Sequence, residues 1–231
     1  AARGELLAFI DDDDSWHPDK LERQQKCSDQ HQDKVIYCGA KTINQTGVTI
    51  ANNLPRFSGS IVSAIQQQKL TTIPSSLLIR RELYERISGF DEDLKNGIDH
   101  DFWFKLATYH IEAEAVPSCL VIQFEDDSPQ ITSQLDKRAQ GLEKFLEKWS
   151  QQLVEWMGQA EAKRYCRHYR TKFLAHTNTV ALLKSGEFNY RLNLLKLFIE
   201  NPMEFAKEPR FLIAMILGST GYKYVRQKLS K

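Results

Sequence analysis

The chain has 231 residues, 31 Lys+Arg against 30 Asp+Glu, 42% hydrophobic and 26% charged, which excludes a disordered or collagen-like polymer and suits one or two globular domains. The longest apolar run, Phe211 to Leu217, falls far short of the roughly 18 to 20 residues that a membrane-spanning helix needs. The balanced charge hides an asymmetry: residues 1–134 carry 13 Lys+Arg and 21 Asp+Glu, net −8, whereas residues 135–231 carry 18 and 9, net +9. An acidic part suited to cations therefore precedes a basic part suited to phosphate, to a membrane surface or to the acidic part itself.

Leu6 to Ile10 is a continuous apolar run that ends in Asp11-Asp12-Asp13-Asp14. It predicts a strand buried in the middle of a covered, mostly parallel sheet, with an acidic loop at its carboxyl end. A chain opening on such a strand lacks upstream neighbours for it, so an amino-terminal truncation is expected. After Pro18, Lys20 to Gln30 reads as a polar surface helix and Lys34 to Gly39 as a strand. Asn44-Gln45-Thr46-Gly47 is a turn. A helix is expected over 60–68, a strand over 75–79, helices over 81–87 and about 99–109, and a strand near 115–124. This alternation implies an α/β core over residues 1–131.

From about Thr132 the pattern is helix alone. Leu142, Phe145, Leu146, Trp149 and Leu153 recur at helical spacing, and further helices are expected over 164–184, 190–200 and 209–228, making residues 132–231 an all-helical extension. Cys27, Cys38, Cys119 and Cys166 form no CxxC pair, which disfavours structural zinc and fits free thiols in a reducing compartment. His110, His168 and His176 lack metal-ligand spacing and read as packing or surface residues.

Four consecutive aspartates repel one another, and a fold that sets them at a strand's carboxyl end usually offsets this with a positive partner. Hard oxygen ligands suit Mg²⁺ or Mn²⁺ completed by phosphate oxygens; a solvated acidic turn is the alternative. A calcium loop would use Asp11, Asp13, Ser15, Asp19 and Glu22, but Trp16 stands where that loop needs glycine. A haloacid dehalogenase-like phosphatase would use Asp11 as nucleophile with Ser15 at the usual Thr position, yet no convincing Lys and acidic pair follows a later strand. Further on, Asp99 and Asp101 open a helix, where the macrodipole favours carboxylates and capping alone would account for one of them.

Two segments carry a resemblance. Ala2-Arg3-Gly4-Glu5-Leu6-Leu7-Ala8-Phe9-Ile10-Asp11-Asp12-Asp13-Asp14-Ser15-Trp16-His17-Pro18-Asp19-Lys20-Leu21-Glu22 is similar to the family 2 glycosyltransferase pattern ARGxhhAFLDxDDxWxPxKLE, h being apolar. Ser75 to Arg81, then Gly89-Phe90-Asp91-Glu92-Asp93-Leu94 and Asp99-His100-Asp101-Phe102-Trp103-Phe104-Lys105-Leu106, resemble that family's SxhhhRR…GGFDExL…EDxDLWLRL. The resemblance covers roughly residues 1–124. It implies a GT-A-like mixed, mostly parallel sheet and an inverting transfer of a sugar from a nucleotide-diphosphate sugar to a saccharide or lipid-linked acceptor hydroxyl. It further implies a Mg²⁺ or Mn²⁺ held by Asp11 and Asp13, Asp12 facing the nucleotide ribose, Asp14 supporting the loop, Asp99 as catalytic base, and Gly89 and Phe90 lining the donor-sugar side. With four adjacent aspartates the register stays open by one residue.

The departures from the pattern are specific. Ile98 replaces the acidic residue before the base, Lys105 the Arg of WLRL, and Ser88 the first Gly of GGFDE. Gln123, Phe124, Glu125 and Asp126 stand where the family often has a late His, and no QxxRW appears, which disfavours a processive synthase. The family's opening strand and DDGS-like nucleotide loop are absent, so the resemblance implies a partial donor pocket, with a non-catalytic remnant or interaction module as the alternative. Arg164, Arg167, Arg170 and Lys172 with Tyr165, His168 and Tyr169, and Phe211 to Leu217 followed by Lys223, Arg226, Lys228 and Lys231, suit either a solvated or core-packed helix or peripheral contact with an anionic membrane. The expected location is cytoplasmic or at the cytoplasmic membrane face, in polysaccharide biosynthesis, with no nucleic-acid partner.

Overall fold

A computed structural model describes residues 2–70, 73–94, 97–124, 135–186, 188–206 and 209–229. The chain divides into two compact units, residues 1–126 and 127–231.

The first unit contains strands β1 (Leu6–Ala8), β2 (Asp14–Trp16), β3 (Val35–Ile43), β4 (Thr49–Asn53), β5 (Gly59–Ser60), β6 (Leu77–Arg80) and β7 (Glu112–Phe124). Its helices are α1 (Lys20–Gln30), α2 (Ile61–Gln66), α3 (Arg81–Arg86) and α4 (Ile98–Thr108). One sheet runs in the order β1-β6-β3-β7-β2, with β4 against β3 and β5 against β7. Its core combines Ile36, Cys38, Ala40, Leu78, Val116, Leu120 and Val121.

The sheet is mixed, as expected, but among the described strands only β3 and β7 pair in parallel; the other pairings are antiparallel. Short connections explain part of this. The turn at Asn44 to Gly47 joins β3 to β4, with Asn44 Oδ1 accepting from the Thr46 and Val48 amides, and a link that short permits only an antiparallel neighbour. The first apolar run also differs from expectation. β1 is three residues long, has β6 as its one paired neighbour among the described strands, and gives way to Ile10, which is 53% exposed. Apolar content alone does not distinguish an edge strand from a central one.

Two further expectations are corrected. Ser75 and Ser76 lie in a 3₁₀ turn, Pro74–Ser76, and the strand begins at Leu77. α1 matches its expected bounds, but its buried face is the polar one, Lys20, Gln24 and Ser28 at four-residue spacing. Gln24 Nε2 donates to the Ser76 carbonyl at 2.8 Å, and Lys20 Nζ lies 4.0 Å from the centre of the Trp16 ring.

The second unit is helical: α5 (Leu135–Met157), α6 (Gln159–Ser185), α7 (Phe188–Glu200), α8 (Pro202–Ala206) and α9 (Pro209–Leu229). The stripe Leu142, Phe145, Leu146, Trp149 and Leu153 is buried, and Arg170 holds Glu143 through two bonds of 2.6 and 2.7 Å between α6 and α5. Arg164 pairs with Glu161 on its own helix. A second core joins Ala175, Leu182, Leu194, Phe205, Phe211 and Ala214. Gly218, at φ 67°, kinks α9, and the Arg191 guanidinium donates to the Met215 and Ile216 carbonyls that the kink releases. Glu125 and Asp126, and the side chains of Lys223, Arg226, Lys228 and Lys231, lie outside the described residues.

Candidate active site

The four aspartates form a turn. The Asp14 amide donates to the Asp11 carbonyl at 3.1 Å, with Asp12 and Asp13 exposed at the corner, a geometry that aspartate favours. Two neighbours fix it. β2, which begins at Asp14, pairs with β7 so that Asp14 lies opposite Gln123, and the buried Ser75 meets the turn from the 3₁₀ segment. Ser75 Oγ accepts the Asp11 amide at 3.0 Å, and its carbonyl accepts the Trp16 indole at 2.9 Å.

The carboxylates are under electrostatic load. Partial burial raises the Asp11 pKa above its ordinary value, and the charges of Asp14, Asp13 and Asp12 raise it further, against a hydrogen bond from Ser75. Asp14 is raised by burial and by Asp13, while bonds from Ser75 and Gln123 hold it down. Asp14 Oδ2 remains buried without a hydrogen-bond partner. A buried acceptor without a donor inside a like-charged turn is electrostatically costly. Among the described residues no group of three or more His, Cys, Asp or Glu forms. The carboxylates of the turn are therefore the residues that could hold a hard cation here, as one or two ligands to an ion whose other ligands come from elsewhere.

α4 brings the second carboxylate. Gly97, in the left-handed conformation at φ 76°, caps the helix without a side-chain bond, and Asp99 and Asp101 occupy its first turn. Asp101 is buried and pairs with Lys105. Asp99 behaves differently: burial pushes its carboxyl up to about 6, and the charge of Asp11 adds to the rise, against a bond from its own amide. Asp99 and the acidic turn therefore share one electrostatic neighbourhood.

Aromatic packing explains the convergence. Phe9, two residues before Asp11, Tyr84 on α3, Phe90, and Phe102, one turn beyond Asp99 on α4, form a cluster in which every pair of rings meets at 4.6 to 6.3 Å. Such pairs contribute about 0.5 to 1.5 kcal/mol each beyond area burial, so the exit of β1 and the start of α4 are fixed to one body. Gly89 and Phe90 belong to this support. Gly89 has φ 56°, and a Cβ there would lie 2.5 Å from the Tyr84 ring; its carbonyl accepts from Lys105 Nζ at 2.9 Å. Lys105 thus ties the Gly89 loop to α4 with a single ammonium, a point contact that needs no guanidinium fork. Ser88, in place of the first family glycine, adopts φ 57°.

The glycosyl transferase family 2 model matches residues 1–88. Over these residues the chain is similar to that family. The match includes the acidic turn and Ser75 and stops short of Gly89, Phe90 and Asp99, so the placement of those three rests on the packing above. Curated relatives include uncharacterized glycosyltransferases of Rickettsia typhi, 30% identical over 109 residues, and of Rickettsia prowazekii, 29% identical over 109 residues; each alignment covers 45% of this chain and 34% of the relative. The chain thus spans about a third of the length of these relatives. Among solved structures, Staphylococcus aureus TarS 1–349 in complex with UDP-GlcNAc aligns with a TM-score of 0.47 at 14% identity, over 93% of this chain and 56% of that one. No described helix is long and apolar enough to cross a membrane.

Proposed function

We propose that this chain carries the metal-holding turn and the base of an inverting family 2 glycosyltransferase, which moves a sugar from a nucleotide-diphosphate sugar to the hydroxyl of a saccharide or lipid-linked acceptor. The observation that supports this most is the packing of Phe9, two residues before Asp11, against Phe90 and against Phe102, one turn beyond Asp99; burial and the charge of Asp11 lift Asp99 to about 6, in the range of a general base that works near neutral pH.

Asp99, ionised, accepts the acceptor's hydroxyl proton while that oxygen attacks the anomeric carbon. The new glycosidic bond forms as the bond from that carbon to the diphosphate oxygen breaks, and the diphosphate leaves with the electron pair from the opposite face, which inverts the centre. Asp11 and Asp13 would hold Mg²⁺ or Mn²⁺, and the ion, when bound, would supply charge stabilisation to the leaving group. Asp12 faces the ribose, Asp14 supports the turn, and Gly89 and Phe90 border the donor-sugar side on the aromatic cluster.

The same reading includes peripheral attachment to an anionic membrane at the cytoplasmic face. It is supported within the second unit by Phe188, Leu192, Leu195 and Ile199, which are exposed at helical spacing on α7. Lys196 flanks that stripe, and residues 135–231 carry net +9.

Titration of the chain with Mn²⁺ and a panel of nucleotide-diphosphate sugars tests the catalytic reading. The expected result is metal-dependent nucleotide binding and a new glycoside by mass spectrometry; absence of both identifies a non-catalytic remnant.

A further inference from the structure

We propose that Ser75 is a positioning residue that sets the register of the acidic turn, fixing Asp14 as its anchor and leaving Asp11, Asp12 and Asp13 free to face a ligand. This rests on the transferase reading and supplies the register that the run of four aspartates leaves open.

Ser75 is fully buried. Its hydroxyl oxygen accepts the Asp11 amide at 3.0 Å, and its carbonyl accepts the Trp16 indole at 2.9 Å. Through the first bond Ser75 pins the backbone at the first residue of the turn, and the Asp11 carboxylate takes no part in it.

The sheet fixes the other end of the turn: Asp14 stands opposite Gln123 across the β2–β7 pair. Asp14 is thereby held at the sheet edge, while Asp12 and Asp13 remain exposed at the corner of the turn. A slip by one residue would remove the Asp11 amide from Ser75 Oγ and break the pairing of Asp14 with Gln123 together. Register in a strand is all or none, since a one-residue shift sends every side chain to the other face. Ser75 thus acts on the reaction through the aspartates and touches no reacting atom.

The test uses the full chain with Ser75→Ala, which removes the hydroxyl and keeps the carbonyl that holds Trp16. Ser75→Thr restores the hydroxyl, and Ser75→Cys is a near-isostere should the alanine variant fold poorly. Amide hydrogen exchange at Asp11 and Mn²⁺ affinity are read side by side. In Ser75→Ala, Asp11 exchanges about tenfold faster or more with β3 and β7 protection unchanged, and Mn²⁺ affinity falls about tenfold. Ser75→Cys is intermediate, and Ser75→Thr returns both within about threefold of wild type.

Unchanged Asp11 exchange in Ser75→Ala overturns the anchoring. Faster exchange with unchanged Mn²⁺ affinity overturns the positioning role and leaves a purely structural serine. Failure of the wild type itself to bind Mn²⁺ contradicts the metal-dependent transferase, and the exchange measurement alone then decides whether Ser75 anchors the turn.

Discussion

Asp11 and Asp99 stand 88 positions apart in the chain, yet the charge of Asp11 contributes to lifting the Asp99 carboxyl to about 6. The aromatic cluster of Phe9, Tyr84, Phe90 and Phe102 holds them so, packing the segment before one carboxylate against the helix turn after the other. The arrangement opposes stability. A native pKa above the ordinary 3.8 means that the folded state binds more protons between those values, so stability falls as pH rises from about 4 to about 6.

Asp99→Asn removes this load and the base together. Transfer is expected to fall about 10² to 10⁴-fold, with donor affinity within about threefold of wild type and the melting temperature at pH 7 raised. Wild-type turnover should rise with pH through about 6. Initial rates, donor titration and thermal melts on the two proteins check this; unaltered transfer removes Asp99 from its role.

Ser88 holds a left-handed backbone at φ 57° beside Gly89, a conformation that costs a residue with a Cβ roughly 1 to 2 kcal/mol. Ser88→Gly is expected to stabilise the fold by about 1 kcal/mol, the gain being reduced by the extra freedom of glycine in the unfolded chain. Urea denaturation measures it.

Lys20 is buried, with its ammonium above the Trp16 ring and no hydrogen-bond partner for Nζ. Burial lowers its pKa from 10.5 to about 8. Between those values the unfolded state binds the extra proton, so stability rises with pH across about 8 to 10.5. Lys20→Met should abolish that rise and stabilise the protein at pH 7. Denaturant midpoints of both proteins at pH 7, 8, 9 and 10 provide the comparison.

The sequence made some parts of this legible and concealed others for physical reasons. The long helices of the second unit and α4 were readable from their helical pattern, whereas the five-residue α8, Pro202–Ala206, was too short to show one. The acidic turn was readable because four like charges at a strand end demand an explanation. Ser75 was hidden inside an apolar run that reads as strand, whereas its role comes from a 3₁₀ turn that only tertiary structure reveals. β2 is three residues, Asp14 to Trp16, without alternation, and its existence depends on the pairing offered by β7. Lys20 looked solvent-facing because hydropathy assigns polar residues outward, yet the sheet beneath α1 receives a polar stripe. The dominance of antiparallel pairing was equally hidden, since strand direction follows from which neighbours meet and not from local composition.

The direct test of the shared site is the carboxyl ¹³C titration of Asp99 in metal-free wild type and in Asp11→Asn. A midpoint near 6 in the wild type, displaced downward in Asp11→Asn while staying above 3.8 because burial persists, is the predicted result. An identical midpoint in both proteins would show that the two carboxylates do not sense each other, and would contradict a common site.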